Sequence, residues 1–132
     1  MTENKKENLN NRMIKFLFEG APVRGACVQM AEEWQEMIKF HHYPENVAAL
    51  LGQFTAGALL LSSTIKFEGS LILQVKGSGP IALIYAEVPN PMSVRAMAEI
   101  REGAEIKPEM DLQELINKDG KGLCALILDP KD

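Results

Sequence analysis

Residues 47–88 read VAALLGQFTAGALLLSSTIKFEGSLILQVKGSGPIALIYAEV, and a change of period inside this stretch decides the fold. In its first half Val47, Leu51, Phe54, Ala58, Leu61 and Ile65 recur at alternating steps of four and three, which makes one stripe of a helix. No charge falls between Val47 and Thr64, so this helix is expected to be buried on nearly all sides. Gly52 and Ala56 leave room for a close neighbour on its other side. Gly52, Gln53, Thr55, Gly57, Ser62, Ser63 and Thr64 interrupt the apolar run, which suits a core helix better than a membrane span. From residue 71 the period becomes two. Leu71, Leu73 and Val75 share one face of a strand, Gln74 and Lys76 mark the other, and Ile72 makes that second face partly covered. Gly77, Ser78, Gly79 and Pro80 read as a turn and residues 81–88 as the return strand of an antiparallel hairpin.

Working outward, residues 1–11 are polar and read as a flexible lead-in to one domain over residues 12–132. Residues 12–18 and 23–30 have strand character around the breaker Gly20-Ala21-Pro22. Residues 31–41 are helix-like: Met30, Trp34 and Ile38 make a stripe, while Glu32, Glu33, Glu36 and Lys39 face away. Tyr43-Pro44 ends that element, and Pro44 suits the first position of the long helix. Downstream, Pro89, Asn90 and Pro91 read as a turn. In residues 94–100, Val94, Ala96, Ala98 and Ile100 alternate with Arg95, Met97 and Glu99. Residues 103–110 are a loop, and Asp111 is placed to cap a short helix containing Leu112, Leu115 and Ile116. Residues 119–122 turn the chain into a last strand, residues 123–128. The expected class is α+β, an antiparallel sheet with helices packed on one face. The final strand is followed by no capping motif, so the sheet is expected to be incomplete here and the chain a fragment.

A length of 132 residues suits one core, with roughly two-thirds of the unfolded surface buried and no staple required. Eighteen acids against 14 Lys+Arg give a net charge of -4, which offers no general attraction to nucleic acid or anionic lipid. No stripe of Lys and Arg interleaved with aromatics is visible. Cys27 and Cys124 sit in apolar runs and read as buried thiols of a reducing compartment. No secretory pattern opens the chain, so a cytoplasmic protein is expected, without membrane or nucleic-acid partners.

No residues assemble into a catalytic or metal constellation. A Gly77-Ser78-Gly79 phosphate cradle would have to feed a helix N-terminus, whereas this loop feeds Pro80 and a strand. His41 and His42 would point roughly 100° apart on a helix and lack further ligands at useful spacing. Cys27 lacks an evident base, and Cys27 with Cys124 supplies only half a zinc site. Glu32, Glu33 and Glu36 read as a solvated face. Trp34, Phe40, Tyr43, Phe54 and the seven methionines admit core packing or an adaptable binding surface.

Several short stretches, in order, resemble the N-terminal domain of the redox-regulated 33-kDa heat-shock chaperone family. They are Phe16-Leu17-Phe18-Glu19 with Val23-Arg24-Gly25, then His42-Tyr43-Pro44 leading into the long helix. Leu59-Leu60 through Thr64-Ile65-Lys66-Phe67-Glu68-Gly69 and Gln74-Val75-Lys76-Gly77-Ser78-Gly79-Pro80 complete the set. Arg95 departs from the pattern, being followed by Ala96 where the family commonly has glycine, and Pro89-Asn90-Pro91 is stiffer than the usual turn. The resemblance implies an ATP-independent holdase, not an enzyme, which forms a homodimer and captures unfolding proteins on apolar surface. It also implies redox control by zinc held on cysteine thiolates of a C-terminal module absent from this chain, so no cofactor is expected within it. By position, the client-binding residues it implies are Phe67, Leu71, Leu73, Val75, Ile81, Leu83 and Ile84. The alternative is a non-chaperone α+β interaction or ligand-binding module in which the same residues serve only as core; a small enzyme using Cys27 or a glutamate is a third reading.

Overall fold

The structure, a computed structural model, describes residues 11–90 and 93–131. The lead-in expected for residues 1–11 lies outside them except for Asn11, which opens the first strand. In chain order the elements are β1 (Asn11–Leu17), β2 (Arg24–Met30), α1 (Glu32–Lys39), α2 (Glu45–Thr64), β3 (Gly69–Lys76), β4 (Ile81–Asn90), β5 (Ser93–Ile100), α3 (Leu112–Ile116), a 3-10 turn (Lys118–Gly120) and β6 (Leu123–Pro130). The α+β class is as expected, but the strands divide into two sheets. β1 and β2 form an antiparallel hairpin of their own, and the other four make an antiparallel sheet in the order β5-β4-β3-β6.

Helix α2 lies across the inner face of the larger sheet. Its buried side chains are Val47, Leu51, Thr55, Ala58 and Leu59. These steps of four, four, three and one keep one face inward, and the rest of the helix is only partly covered or open. The expectation of burial on nearly all sides is therefore corrected: Leu61, assigned to the buried stripe, is 37% exposed. Beyond Asn46 the helix carries no charge, and the small residues Ala49, Gly52 and Ala56 lie on its less covered side. Thr55 is tolerated at full burial because its hydroxyl donates to the Leu51 carbonyl at 2.6 Å. Gly52 performs the expected spacing function. A Cβ there would lie 3.2 Å from the Trp34 ring, so the indole of α1 packs directly on α2 backbone. Pro44 occupies the N-cap position in an extended conformation, and Glu45 is the first helical residue.

Two apolar clusters fill the space beneath α2. One joins Val47 and Leu51 to Ile81, Ile84, Ala98, Leu115 and Ile116, with Trp34 and Tyr43 at its edge. The other joins Ala58 and Leu59 to Leu71, Ala86, Val88 and Val94, and it receives Met13, Val28 and Met30 from the hairpin. Ile81 and Ile84 both point inward although strict alternation would separate them. The β4–β5 register shifts between Ile81 and Leu83, a bulge that turns both isoleucines to the core. A second shift spans Glu87 to Asn90. Pro89 and Asn90 therefore belong to β4, with the proline where the ladder is already broken, and Pro91 lies outside the described residues.

Asp111 caps α3 as expected: its side chain accepts from the Glu114 N–H at 3.0 Å. Asp111→Ala should cost about 1 kcal/mol, read as a lower urea midpoint, because α3 carries Leu115 and Ile116 into the first cluster. A midpoint unchanged within error would show that the cap contributes nothing.

Candidate functional site

The seven residues implied as a client surface separate into two environments. Leu71, Ile81 and Ile84 are fully buried core residues, so they support the sheet from beneath and present nothing to a partner in this conformation. Leu73 and Val75 share their face, half-buried against the same clusters. Leu83 lies on the opposite, helix-free face, across from Lys76 and Glu99. Phe67 is half-buried just before β3, its ring over Gly69. Alternation grouped these residues correctly by strand, but only the position of α2 tells which face is covered.

Large exposed apolar side chains gather elsewhere. On β6, Leu123 is 64% exposed, and Leu126, Ile127 and Leu128 are also exposed. β6 is the edge of its sheet and pairs only with β3 among the described residues. Its inner-face residues Cys124, Leu126 and Leu128 lie opposite Val75, Leu73 and Leu71, beyond the cover of α2. The uninterrupted apolar run of residues 123–128 was the available signal: a strand without alternation needs cover on both faces. The second patch is the hairpin, where Ile14, Phe16, Leu17, Phe18 and Val23 are exposed. The rings of Phe16 and Phe18 lie 5.9 Å apart, and Phe16 covers Gly25 on the paired strand.

Both cysteines are exposed, which corrects their reading as buried thiols. Cys27 pairs with the exposed Ile14 on the hairpin, and Cys124 lies on the uncovered β6, so an apolar sequence context did not secure burial. His41 and His42 follow the end of α1, and His41 stacks on Tyr43 at 5.2 Å between centroids. Among the described residues no three His, Cys, Asp or Glu side chains converge as metal ligands.

The Gly77-Ser78-Gly79 loop is a clasped turn. The Gly77 N–H donates to the Ala82 carbonyl and the Ser78 N–H to that of Ile116, at 2.8 and 2.9 Å. The Ser78 hydroxyl donates to the Lys118 carbonyl at 2.7 Å. Arg101 reaches across to donate to the carbonyls of Gly77 and Gly79 at 2.9 and 3.2 Å. A phosphate cradle needs N–H groups turned outward. Those of Gly77 and Ser78 are committed inward.

The arrangement is thus a scaffold that leaves large apolar side chains facing solvent among the described residues. Comparison with known proteins agrees in extent with the family resemblance. The sequence profile described as Hsp33 protein matches residues 11–132. A "33 kDa chaperonin" of Aliivibrio salmonicida is 39% identical over 123 residues, 93% of this chain and 40% of that protein. One of Neisseria gonorrhoeae is 39% identical over 125 residues, 95% and 41% respectively. One of Chromobacterium violaceum is 37% identical over 124 residues, 94% and 40%. The chain thus spans about 40% of the length of these relatives. With the profile matched across nearly all of its length, the chain belongs to the Hsp33 protein family.

Proposed function

We propose that this chain is the client-binding and dimerising part of an ATP-independent holdase chaperone of the cytoplasm. It captures unfolding proteins by burying their apolar segments against its own, and it catalyses no reaction. Control by oxidation belongs, in this reading, to a zinc-thiolate module elsewhere in the full-length protein. The observation that carries the proposal is the exposed apolar surface of the β1–β2 hairpin, to which β6 adds among the described residues. Nine large apolar side chains on β1, in the turn after it and on β6 face solvent, where isolated ones would need no explanation but grouped ones mark an interaction surface. Phe67, Leu73, Val75 and Leu83 join this surface at the sheet as half-buried contributors, and the relatives' name, 33 kDa chaperonin, supports the reading.

The test is light scattering from a thermally unfolded protein, without nucleotide, in the presence of the chain or its Leu126→Glu/Leu128→Glu variant. The parent should suppress aggregation, and the variant should lose more than about half of that effect while its own melting temperature stays close, since surface changes usually cost within about 0.5 kcal/mol. Undiminished suppression by a folded variant would remove β6 from the client surface. A parent without any effect would leave a non-chaperone interaction module as the better reading.

A further inference from the structure

One feature of the hairpin is not explained by apolar burial. Met13, Lys15 and Leu17 of β1 share a face with Val28, Ala26 and Arg24, their register partners on β2. Met13 and Val28 pack into the core under α2, so this face is turned toward the helix. Farther along the hairpin the same face no longer meets a core. It opens a cleft of about 530 Å³ against the C-terminal end of α2, lined by Lys15, Leu17, Arg24, Ser63, Thr64 and Lys66 among others. That volume falls within the range of about 300–1,000 Å³ typical of ligand sites.

The lining contains three cations and no carboxylate, in a chain whose net charge is -4. Among the described residues the ion pair within bonding distance is Arg95–Glu87, at the far side of the larger sheet, and none involves Lys15, Arg24 or Lys66. A bland explanation is that the cations complement the carbonyl end of α2. A helix end carries only about half a negative charge. Of its last four carbonyls, that of Leu61 is also already engaged, by the Thr64 hydroxyl and the Ile65 N–H. Roughly two and a half positive charges therefore remain uncompensated by the helix. Leu17, 79% exposed, stands at the rim, and the exposed Phe18 and Val23 lie in the turn that follows it between the two strands. A compact ligand filling the cleft would leave those two side chains bare; an extended chain would cover them.

The geometry points to this cleft as a site for extended polypeptide segments in which acidic residues neighbour large apolar ones. This rests on the client-binding reading and narrows it: carboxylates meet Lys15, Arg24 and Lys66, and the apolar neighbours cover Leu17, Phe18 and Val23. Client segments would then be selected by charge as well as by hydrophobicity, and the selection would weaken with salt because the cations are exposed.

The experiment measures fluorescence anisotropy of two labelled peptides of equal apolar content, one with Glu and one with Lys at its polar positions. They are titrated with the full chain and with its Lys15→Gln/Arg24→Gln/Lys66→Gln variant. The acidic peptide should bind the parent at least about tenfold more tightly than the basic one, and the triple variant should lose about tenfold for the acidic peptide alone, at two- to threefold per exposed contact. All three positions are solvent-facing, so circular dichroism should show an unchanged fold. Equal affinity for both peptides, or an acidic-peptide affinity unmoved in the triple variant, overturns the assignment. So does dodecyl sulfate binding below its micellar concentration while neither peptide binds, or a triple variant that changes the oligomeric state in place of peptide affinity. Suppression of aggregation is followed in parallel. Parent suppression with no peptide preference refutes this site alone, whereas absent suppression refutes the chaperone reading itself.

Discussion

Gly77→Ala should lower stability by about 3 kcal/mol, a large effect for the addition of one methyl group. A Cβ at Gly77 would overlap the Ile81 carbonyl oxygen and approach the Ile116 carbonyl at 3.3 Å. Both obstacles are backbone, so neither can swing aside as a long side chain would. Moving them disturbs what they hold. The Ile116 carbonyl accepts from the Ser78 N–H, and the Gly77 carbonyl accepts from Arg101. The turn is therefore the place where β3, β4, α3 and the end of β5 are tied together. Gly79→Ala meets the Glu114 and Leu115 carbonyls at 2.6 and 2.7 Å and should behave alike. With a urea slope of about 1–3 kcal/mol/M for a chain of this size, the midpoint should fall by at least about 1 M. A midpoint within a few tenths of molar of the parent would mean that the turn is loose in solution.

Leu51→Ala should cost a similar amount, about 3 kcal/mol within the 2–5 found for buried leucines, and Leu61→Ala less than about 1. The contrast is the informative part. Both leucines belong to the four-three rhythm of α2, and by sequence either would be core. Leu51 is fully enclosed by the cluster containing Val47, Ile81, Ile84 and Leu115, so truncation opens a cavity that backbone-anchored neighbours cannot refill. Leu61 lies one turn from the helix end, where the sheet no longer covers it. Equal losses at the two positions, measured by chemical denaturation, would show that α2 is rotated from its place described above.

The fold was largely legible because its signals are local. The switch of period after α2, the Gly-Pro turn, the Asp111 cap and the alternation of β5 each depend on side-chain spacing or on one hydrogen bond within a few residues. The candidate surface was legible only in part. Phe67, Leu73, Val75 and Leu83 are half-buried, whereas Leu71, Ile81 and Ile84 are under α2, and the bulge after Ile81 defeated a simple count of alternate residues. Residues 123–128 form the expected last strand, but both cysteines were misjudged. An apolar run identifies residues that gain by burial, but another element must be present to bury them, and none of the described residues covers β6.

The sequence by itself determined where helix and strand occur, the antiparallel pairings across short turns, and the family resemblance. Tertiary structure decided which face of each strand meets α2, that the strands split into two sheets, and which apolar residues face solvent. It also brought Lys15, Arg24 and Lys66 to one cleft. The physical reason is the range of the determinants. Periodicity and turn chemistry act over a few neighbouring residues, while exposure and charge clustering depend on elements separated by some forty positions and joined only when the hairpin docks on the helix.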